Sequence, residues 1–564
     1  MDWNLKTLRQ TGVIDPFDRH FSLRLSSLAP NTPELVQVAL ALVRRGLGKG
    51  HVGMPLNEIL QSEYPGVPAI FNCPTPDQIR EILLQSSLVA SPEGRAPLIL
   101  DGDWLFLQKY HAYQERLLKQ LKIRCNFQEE PLDDLTKEAW AKLYGPEDEQ
   151  GKAALKALGR RFFILTGGPG TGKTSTAVSL IALIQDRQIR NQKPTLETQL
   201  LAPTGKAARR LGEAVALGKS RLGLSEVLGI PETAQTLHRF LGVNPNQPGI
   251  YKHHPKNPAA TQLVLLDEAS MVDLPMFVHF LEALSPDCRV ILMGDPDQLT
   301  AIESGAVLKD LTSFPAQLSV GEAPRLALHH LRLNKSYRFD DQKGIGKMAT
   351  QIRSGIVESQ TWSESGLQVI SNLNDLKSLV ISGFSPLIAA QTPAEALAAL
   401  PEFACLCPLV EGPSGALAWN RQIANWVLGQ PGLGHLCPII IEQNSPSQGL
   451  SNGDLGVLWA NGTDLEAWVL GPEGMPVCFS PALLPKHSQA FCISVHKSQG
   501  SEYGQVVTLM PESDHPLLTG ELIYTALTRA KTRFTLYGDP VLWSNAAQRN
   551  ETRFSLLNKR AYSL

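Results

Sequence analysis

Residues Gly167–Thr174 read GGPGTGKT, a glycine-rich run that ends in a lysine and a hydroxyl side chain. Gly167, Gly168, Pro169, Gly170, Thr171 and Gly172 form a loop whose backbone can approach phosphate oxygens closely. Lys173 adds a point charge for the outer phosphates, Thr174 an oxygen ligand for magnesium, and Ser175 a neighbouring hydroxyl. A second group of residues suits hydrolysis rather than binding. Asp267 and Glu268 follow the apolar run Leu263–Leu266. At such a strand tip, Asp267 can hold Mg2+ and Glu268 can orient and deprotonate a water. Gln298 follows another apolar run, Val290–Met293, and has the chemistry of a γ-phosphate sensor. Arg338 and Arg529 supply the positive charge that a transferring phosphoryl group needs. Either arginine alone would read as a surface salt-bridge residue. Together these residues point to ATP bound with magnesium and hydrolysed.

Such groups work only on rigid supports. Phe162–Leu165 reads as a buried strand running into the loop, and Thr174–Leu180 as the opening of the helix behind it. From about Gly151 to Ala323, short apolar runs alternate with helix-like segments, the pattern of a parallel α/β sheet. A second α/β pattern begins at about Leu331. Within it, Asn444–Lys486 is rich in Gly, Pro and Ser with short strand-like runs, so a small β insertion is expected there. Residues up to Cys125 carry helix-like segments such as Pro33–Arg45, and the acidic stretch Gln128–Asp134 reads as a connector. The expected division is therefore a mainly helical domain at 1–125, a linker at 126–149, and α/β domains at 150–330 and 331–564.

Composition sets limits. The chain has 564 residues, a length that suits roughly three or four domains. Its net charge of −2 removes any global basic attraction to nucleic acid, so a DNA path must be local. Eight cysteines form no C-x-x-C pair, and alternation puts Cys405 and Cys407 on one strand face as packing residues. The N-terminus lacks a secretory pattern and no apolar run suits a bilayer span, which predicts a cytoplasmic protein without membrane contact.

Three further segments complete a series: Leu201–Leu211 (LAPTGKAARRL), Ala234–Arg239 (AQTLHR) and Ser494–Glu502 (SVHKSQGSE). Taken in order from Gly167 to Arg529, the chain resembles superfamily 1 helicases. The wordings GGPGTGKT, LLDEASMVD, MGDPDQL and SVHKSQGSEY resemble the RecD branch. Gly48–Leu56 and Pro97–Leu107 resemble the N-terminal domain of RecD subunits of exodeoxyribonuclease V.

The resemblance implies two RecA-like domains, with ATP between a first bearing Lys173 and Asp267 and a second bearing Arg338 and Arg529. It makes Gln150 an adenine reader and places Glu502 at the nucleotide. Thr204, Lys206, Arg209, Thr236 and His238 become contacts to single-stranded DNA in the first domain, and His496, Lys497 and Ser498 in the second. Lys206 and Arg209 equally fit a solvated helix face, and Gln150 a solvent-facing glutamine. The β insertion corresponds to an SH3-like subdomain. The segment 242–261 corresponds to a strand-separating hairpin, or equally to a solvent loop. The implied activity is 5′-to-3′ unwinding of double-strand-break ends, in a heterotrimer with RecB-like and RecC-like chains docked on the N-terminal domain. No separate cluster of carboxylates and lysine suits metal-dependent cleavage, so cutting is assigned to a partner. Alternatives are a stand-alone RecD-like helicase, a P-loop kinase or metabolic ATPase, and a subunit whose ATP site regulates assembly.

Overall fold

The computed structural model describes residues 3–60, 74–126, 131–144, 148–243, 249–313, 325–429, 432–471 and 474–561. Two parallel sheets form its centre. The first is six-stranded, in the order His330–Leu333, Phe162–Gly167, Arg289–Gly294, Leu263–Leu266, Thr198–Ala202 and Gln235–Thr236. All its neighbours pair in parallel. Its central strands are buried along their whole length, which explains their continuous apolar runs: both faces are covered by helices. Parallel strands also bring their C-terminal ends to one edge, where α/β sheets place ligands. Gly167 ends its strand at that edge, and Asp267 and Gln298 follow the ends of theirs.

The first sheet runs past residue 330, where the domain boundary was expected. His330–Leu333 pairs with the strand leading into the phosphate loop. Thr166 Oγ1 lies 2.7 Å from His330 Nε2, and His329 Nδ1 lies 2.8 Å from Phe162 O. The second sheet is five-stranded, in the order Leu367–Ile370, Ala530–Tyr537, Tyr503–Leu509, Phe403–Cys407 and Cys492–Ser494, again all parallel. Along Phe403–Cys407 the side chains alternate as expected. Cys405 and Cys407 pack with Phe384 and Phe491, whereas Ala404 and Leu406 enter the core on the other face.

The β insertion is a five-stranded antiparallel sheet. It reaches from Pro438–Ile441 to His487–Gln489, wider at both ends than the expected 444–486. The outer strands were missed because Pro438–Ile441 is a wholly buried apolar run without alternation.

The N-terminal unit combines helices with a four-stranded sheet. Its helix Gln108–Cys125 lies along the helix Leu274–Glu282 of the first α/β unit. Leu117 and Leu121 are buried there, Arg116 Nε donates to Glu282 Oε1 at 2.9 Å, and Arg124 Nη2 donates to Leu281 O at 2.8 Å. The expected linker at 126–149 also carries structure. It contains the helix Asp134–Tyr144, whose Trp140 is buried in the core beside the phosphate-loop helix, and Asp133 pairs with Arg190. Its charges look like those of a connector, but the apolar face formed by Trp140 and Tyr144 must be covered. After the second sheet, the chain returns to the N-terminal unit, where Val52 N donates to Phe554 O at 2.8 Å and Leu556 N to Gln114 Oε1 at 3.1 Å. Among the described residues no helix is long and apolar enough to cross a membrane.

Candidate nucleotide site between the two parallel sheets

The phosphate loop joins Phe162–Gly167 to the helix Lys173–Arg190. Gly170 and Gly172 take φ of 74° and 83°, the left-handed region that side chains avoid. A Cβ on Gly170 would also lie 2.4 Å from that of Arg338. Both conditions demand glycine. Lys173 Nζ donates to Gly167 O at 2.7 Å and Gly168 O at 2.9 Å, so the lysine is folded back over the loop. The loop, Thr174 and Ser175 line a cleft of about 610 Å³, within the roughly 300–1,000 Å³ typical of small-molecule sites.

Asp267 and Glu268 also line the cleft. Burial raises both carboxyls, and Asp267 raises Glu268 further, while Lys173 and Arg210 oppose the shift. Glu268 adopts φ 50°, ψ 39°, a left-handed conformation that costs a non-glycine residue about 1–3 kcal/mol. Its N–H donates to Asp267 Oδ1 at 2.8 Å, which fixes the two carboxylates relative to each other.

Gln298 is buried between the sheets. Its Nε2 donates to Asp295 Oδ2 at 3.0 Å, and its Oε1 accepts from Arg529 Nη2 at 2.9 Å. Arg529 caps the helix Gly520–Thr528 of the second unit and also donates to Ser501 O at 3.0 Å. Around this contact, Tyr524 OH donates to Asp295 Oδ2 at 3.2 Å and Gln499 Nε2 to Leu299 O at 2.9 Å.

Arg338 belongs to the first sheet's side of the cleft, not the second as its sequence position implied. It follows the strand His330–Leu333, and the segment before it is tied to the phosphate loop. Tyr337 N donates to Gly170 O at 2.8 Å and Ser336 Oγ to Pro169 O at 3.3 Å. Its guanidinium reaches across to Glu502 at 2.8 and 2.9 Å. Arg210 joins the same carboxylate at 3.0 Å. Burial alone would raise Glu502, but Arg210, Arg338 and Arg529 hold it down at about 2.

Arg210 was not anticipated. Its neighbour Arg209 points the other way, with Nη2 3.4 Å from the buried Asp454 of the β insertion. The helical spacing of Ala207, Arg210 and Ala214, all lining the cleft, carries the signal that separates the two arginines. Tyr144 and Tyr337 were also missed; both line the cleft, and Tyr337 is 65% exposed.

The expected DNA contacts fall into different settings. Thr204 and Thr236 cap the helices Gly205–Leu222 and Leu237–Leu241, accepting from Ala207 N and Arg239 N, each at 3.2 Å. His238 is exposed and His496 half-buried. Lys206 is crowded; burial and Arg210 depress its ammonium to about 8 although Asp454 opposes them. Lys497 Nζ donates to Glu442 Oε1 at 2.6 Å. Ser498 is fully buried, its hydroxyl donating to Val495 O at 2.7 Å, so it offers nothing at the surface. Gln150 lies in the helix Glu149–Leu158, and its side chain is outside the described residues.

Away from the cleft, Asp101, His111 and Glu115 bring one potential metal-ligand atom each to within 4.8 Å of one another. The guanidinium of Arg560 bonds both Asp101 and Glu115 and supplies the positive charge there.

Three family profiles match along the chain. Residues 10–106 match the N-terminal domain of the RecBCD enzyme subunit RecD, 150–304 an AAA domain, and 489–537 the UvrD-like helicase C-terminal domain. The chain is 35% identical to the RecBCD enzyme subunit RecD of Mycolicibacterium smegmatis over 97% of both chains. It is 33% identical to that of Mycobacterium tuberculosis over 99% of this chain and 97% of the other. It is 31% identical to the ATP-dependent RecD2 DNA helicase of Deinococcus radiodurans over 74% of this chain but 52% of that one. With a phosphate loop facing a second parallel-sheet unit and likeness along nearly its whole length, the chain belongs to the RecD family.

Proposed function

We propose that this chain is an ATP-hydrolysing DNA helicase, the 5′-to-3′ motor subunit of a cytoplasmic RecBCD-type assembly on double-strand-break ends. The Arg529–Gln298 contact carries this reading, because it ties the cleft that holds the phosphate loop to both units. The loop and Lys173 hold the phosphates, Glu268 takes the proton of the attacking water, and Gln298 senses the γ-phosphate. Arg338 and Arg529 stabilise charge on the transferring group. Tyr337, exposed beside the loop, offers a face to the base.

The donors fit magnesium. The Thr174 hydroxyl and the Asp267 carboxylate are hard oxygen ligands, and burial without a full counter-charge keeps the Asp267 carboxyl raised. Bound Mg2+ would neutralise charge on the β- and γ-phosphates. Loss of the γ-phosphate removes what Gln298 and the arginines share, so the units separate and change the spacing of two DNA grips. Thr204, Lys206, Thr236 and His238 form one grip, and His496 with Lys497 the other. Arg209 and Lys497 act once DNA phosphate replaces Asp454 and Glu442 as their partners.

The near-complete overlap with RecD subunits and the N-terminal match favour a complex subunit over a stand-alone helicase. Purification with RecB-like and RecC-like chains, followed by mass measurement and unwinding of tailed duplexes, tests this. A heterotrimer whose unwinding through this chain requires a 5′ tail supports it; a preference for 3′ tails removes the polarity.

A further inference from the structure

The helix Gly520–Thr528 carries Arg529 at its C-terminal end and Glu521 in its first turn. At about 1.5 Å of rise per residue, the two stand roughly 12 Å apart along one rigid rod. Arg529 meets Gln298 at the cleft. Glu521, at the other end, is 5% exposed. A carboxylate so buried is costly unless donors meet its charge. Its Oε1 accepts from Lys309 Nζ at 2.7 Å and its Oε2 from Glu551 N at 3.0 Å. Lys309 stands on the helix Val307–Thr312, whose Val307, Leu308 and Leu311 are buried in one core with the first sheet's Leu266 and Leu292. Glu551 is tied to the same stretch of chain. Thr300 Oγ1 donates to Glu551 Oε2 at 3.1 Å, Arg553 Nε donates to Glu551 Oε1 at 2.9 Å, and Arg553 Nη1 donates to Glu303 O at 2.9 Å. Both partners of Glu521 therefore rest on the segment that continues from Gln298.

We propose that Glu521 is a positioning residue for ATP hydrolysis: clamped to the first unit by Lys309 and Glu551, it fixes the tilt of its helix and so holds Arg529 against Gln298. Midway along the rod, Thr525 Oγ1 accepts from Leu299 N at 2.9 Å. That single contact is a pivot, and a rod on a pivot keeps its direction only if its far end is held. Direction matters because the guanidinium of Arg529 serves Thr525, Ser501 and Gln298 through one planar fork. Glu521 does not line the cleft, so its effect on hydrolysis passes through Arg529. The inference rests on the reading of Arg529 as the group that acts on the transferring phosphate, and it adds what holds that group in place.

The test is steady-state ATP hydrolysis by the full chain in saturating single-stranded DNA. Lys309→Met keeps the apolar stem, which is one-third exposed, and removes the charge that Glu521 meets. It is expected to lower kcat about tenfold with the KM for ATP unchanged. Lys309→Arg, which restores the charge, is expected to hydrolyse at the wild-type rate. Glu521→Gln removes the charge from the other side, keeps an acceptor for the Glu551 N–H, and is expected to behave as Lys309→Met does. Combining Lys309→Met with Arg529→Lys separates positioning from mere support. If Lys309 acts through Arg529, the double variant is no slower than Arg529→Lys alone, since a guanidinium already absent cannot be misplaced. Losses that multiply in the double variant overturn the proposal, as does a rise in KM or a slow Lys309→Arg. Wild-type rates in Lys309→Met and Glu521→Gln beside a slow Arg529→Lys remove the positioning role and leave the reading of Arg529 standing. An Arg529→Lys variant as fast as the wild type removes that reading, and the positioning role with it.

Discussion

Arg529 Nη2 lies 2.9 Å from Gln298 Oε1, a hydrogen bond that joins the second parallel-sheet unit to a strand tip of the first. Arg529 is buried, and the same guanidinium holds Ser501 O, so the contact cannot form without placing the Ser494–Glu502 segment too. A strand tip of the first unit and the Ser494–Glu502 segment of the second therefore share one guanidinium.

Replacing that group by Lys keeps a charge but loses the fork that serves Gln298, Ser501 and Thr525 together. Arg529→Lys should lower kcat for ATP hydrolysis by about 10²-fold with little change in the KM for ATP. Steady-state kinetics in saturating single-stranded DNA decides it. A selective rise in KM would make Arg529 a binding residue instead.

Lys206 provides a pH signature. Burial first, then Arg210, depress its ammonium from 10.5 to about 8. As pH rises through 8 the lysine loses its charge, and affinity for a phosphate chain should fall between pH 7 and 9. Lys206→Arg stays charged across that range and should flatten the profile. Titrations of a fluorescent oligonucleotide at fixed salt measure it.

Asp310 links pH to stability. Burial pushes its carboxyl from 3.8 up to about 7, despite the Ser555 hydroxyl and Lys309. The folded value exceeds the unfolded one, so the contribution to stability is complete below about 4 and is lost as pH rises towards 7. Asp310→Asn should remove that slope and stabilise the protein at pH 8 by up to ~4 kcal/mol. Denaturant unfolding at pH 5 and pH 8 gives the comparison.

The parts of the site that sit on single strands were legible in the sequence. Gly167–Thr174, Asp267 and Gln298 each follow a buried apolar run, and a parallel sheet necessarily brings such strand ends to one edge. What the sequence did not disclose depends on pairings between distant segments. That Arg338 belongs with the phosphate loop follows only from His330–Leu333 adding to the first sheet. That Arg210 rather than Arg209 lines the cleft depends on which side of one helix meets Gly500 and which meets Asp454. The helix Asp134–Tyr144 was hidden because acidic residues around it mimic a solvated connector while Trp140 does the packing. Ser498 shares a segment with His496 and Lys497, yet a tight turn directs it inward.

In the proposed mechanism, ATP hydrolysed between Lys173 and Arg529 drives movement on DNA. Its most direct test is the ATP hydrolysis rate of the wild-type chain, Lys173→Ala and Arg529→Lys, each with and without single-stranded DNA. Expected are strong stimulation of the wild type by DNA, no hydrolysis by Lys173→Ala, and a low rate for Arg529→Lys that DNA barely raises. Hydrolysis by the wild type that is indifferent to DNA would contradict it.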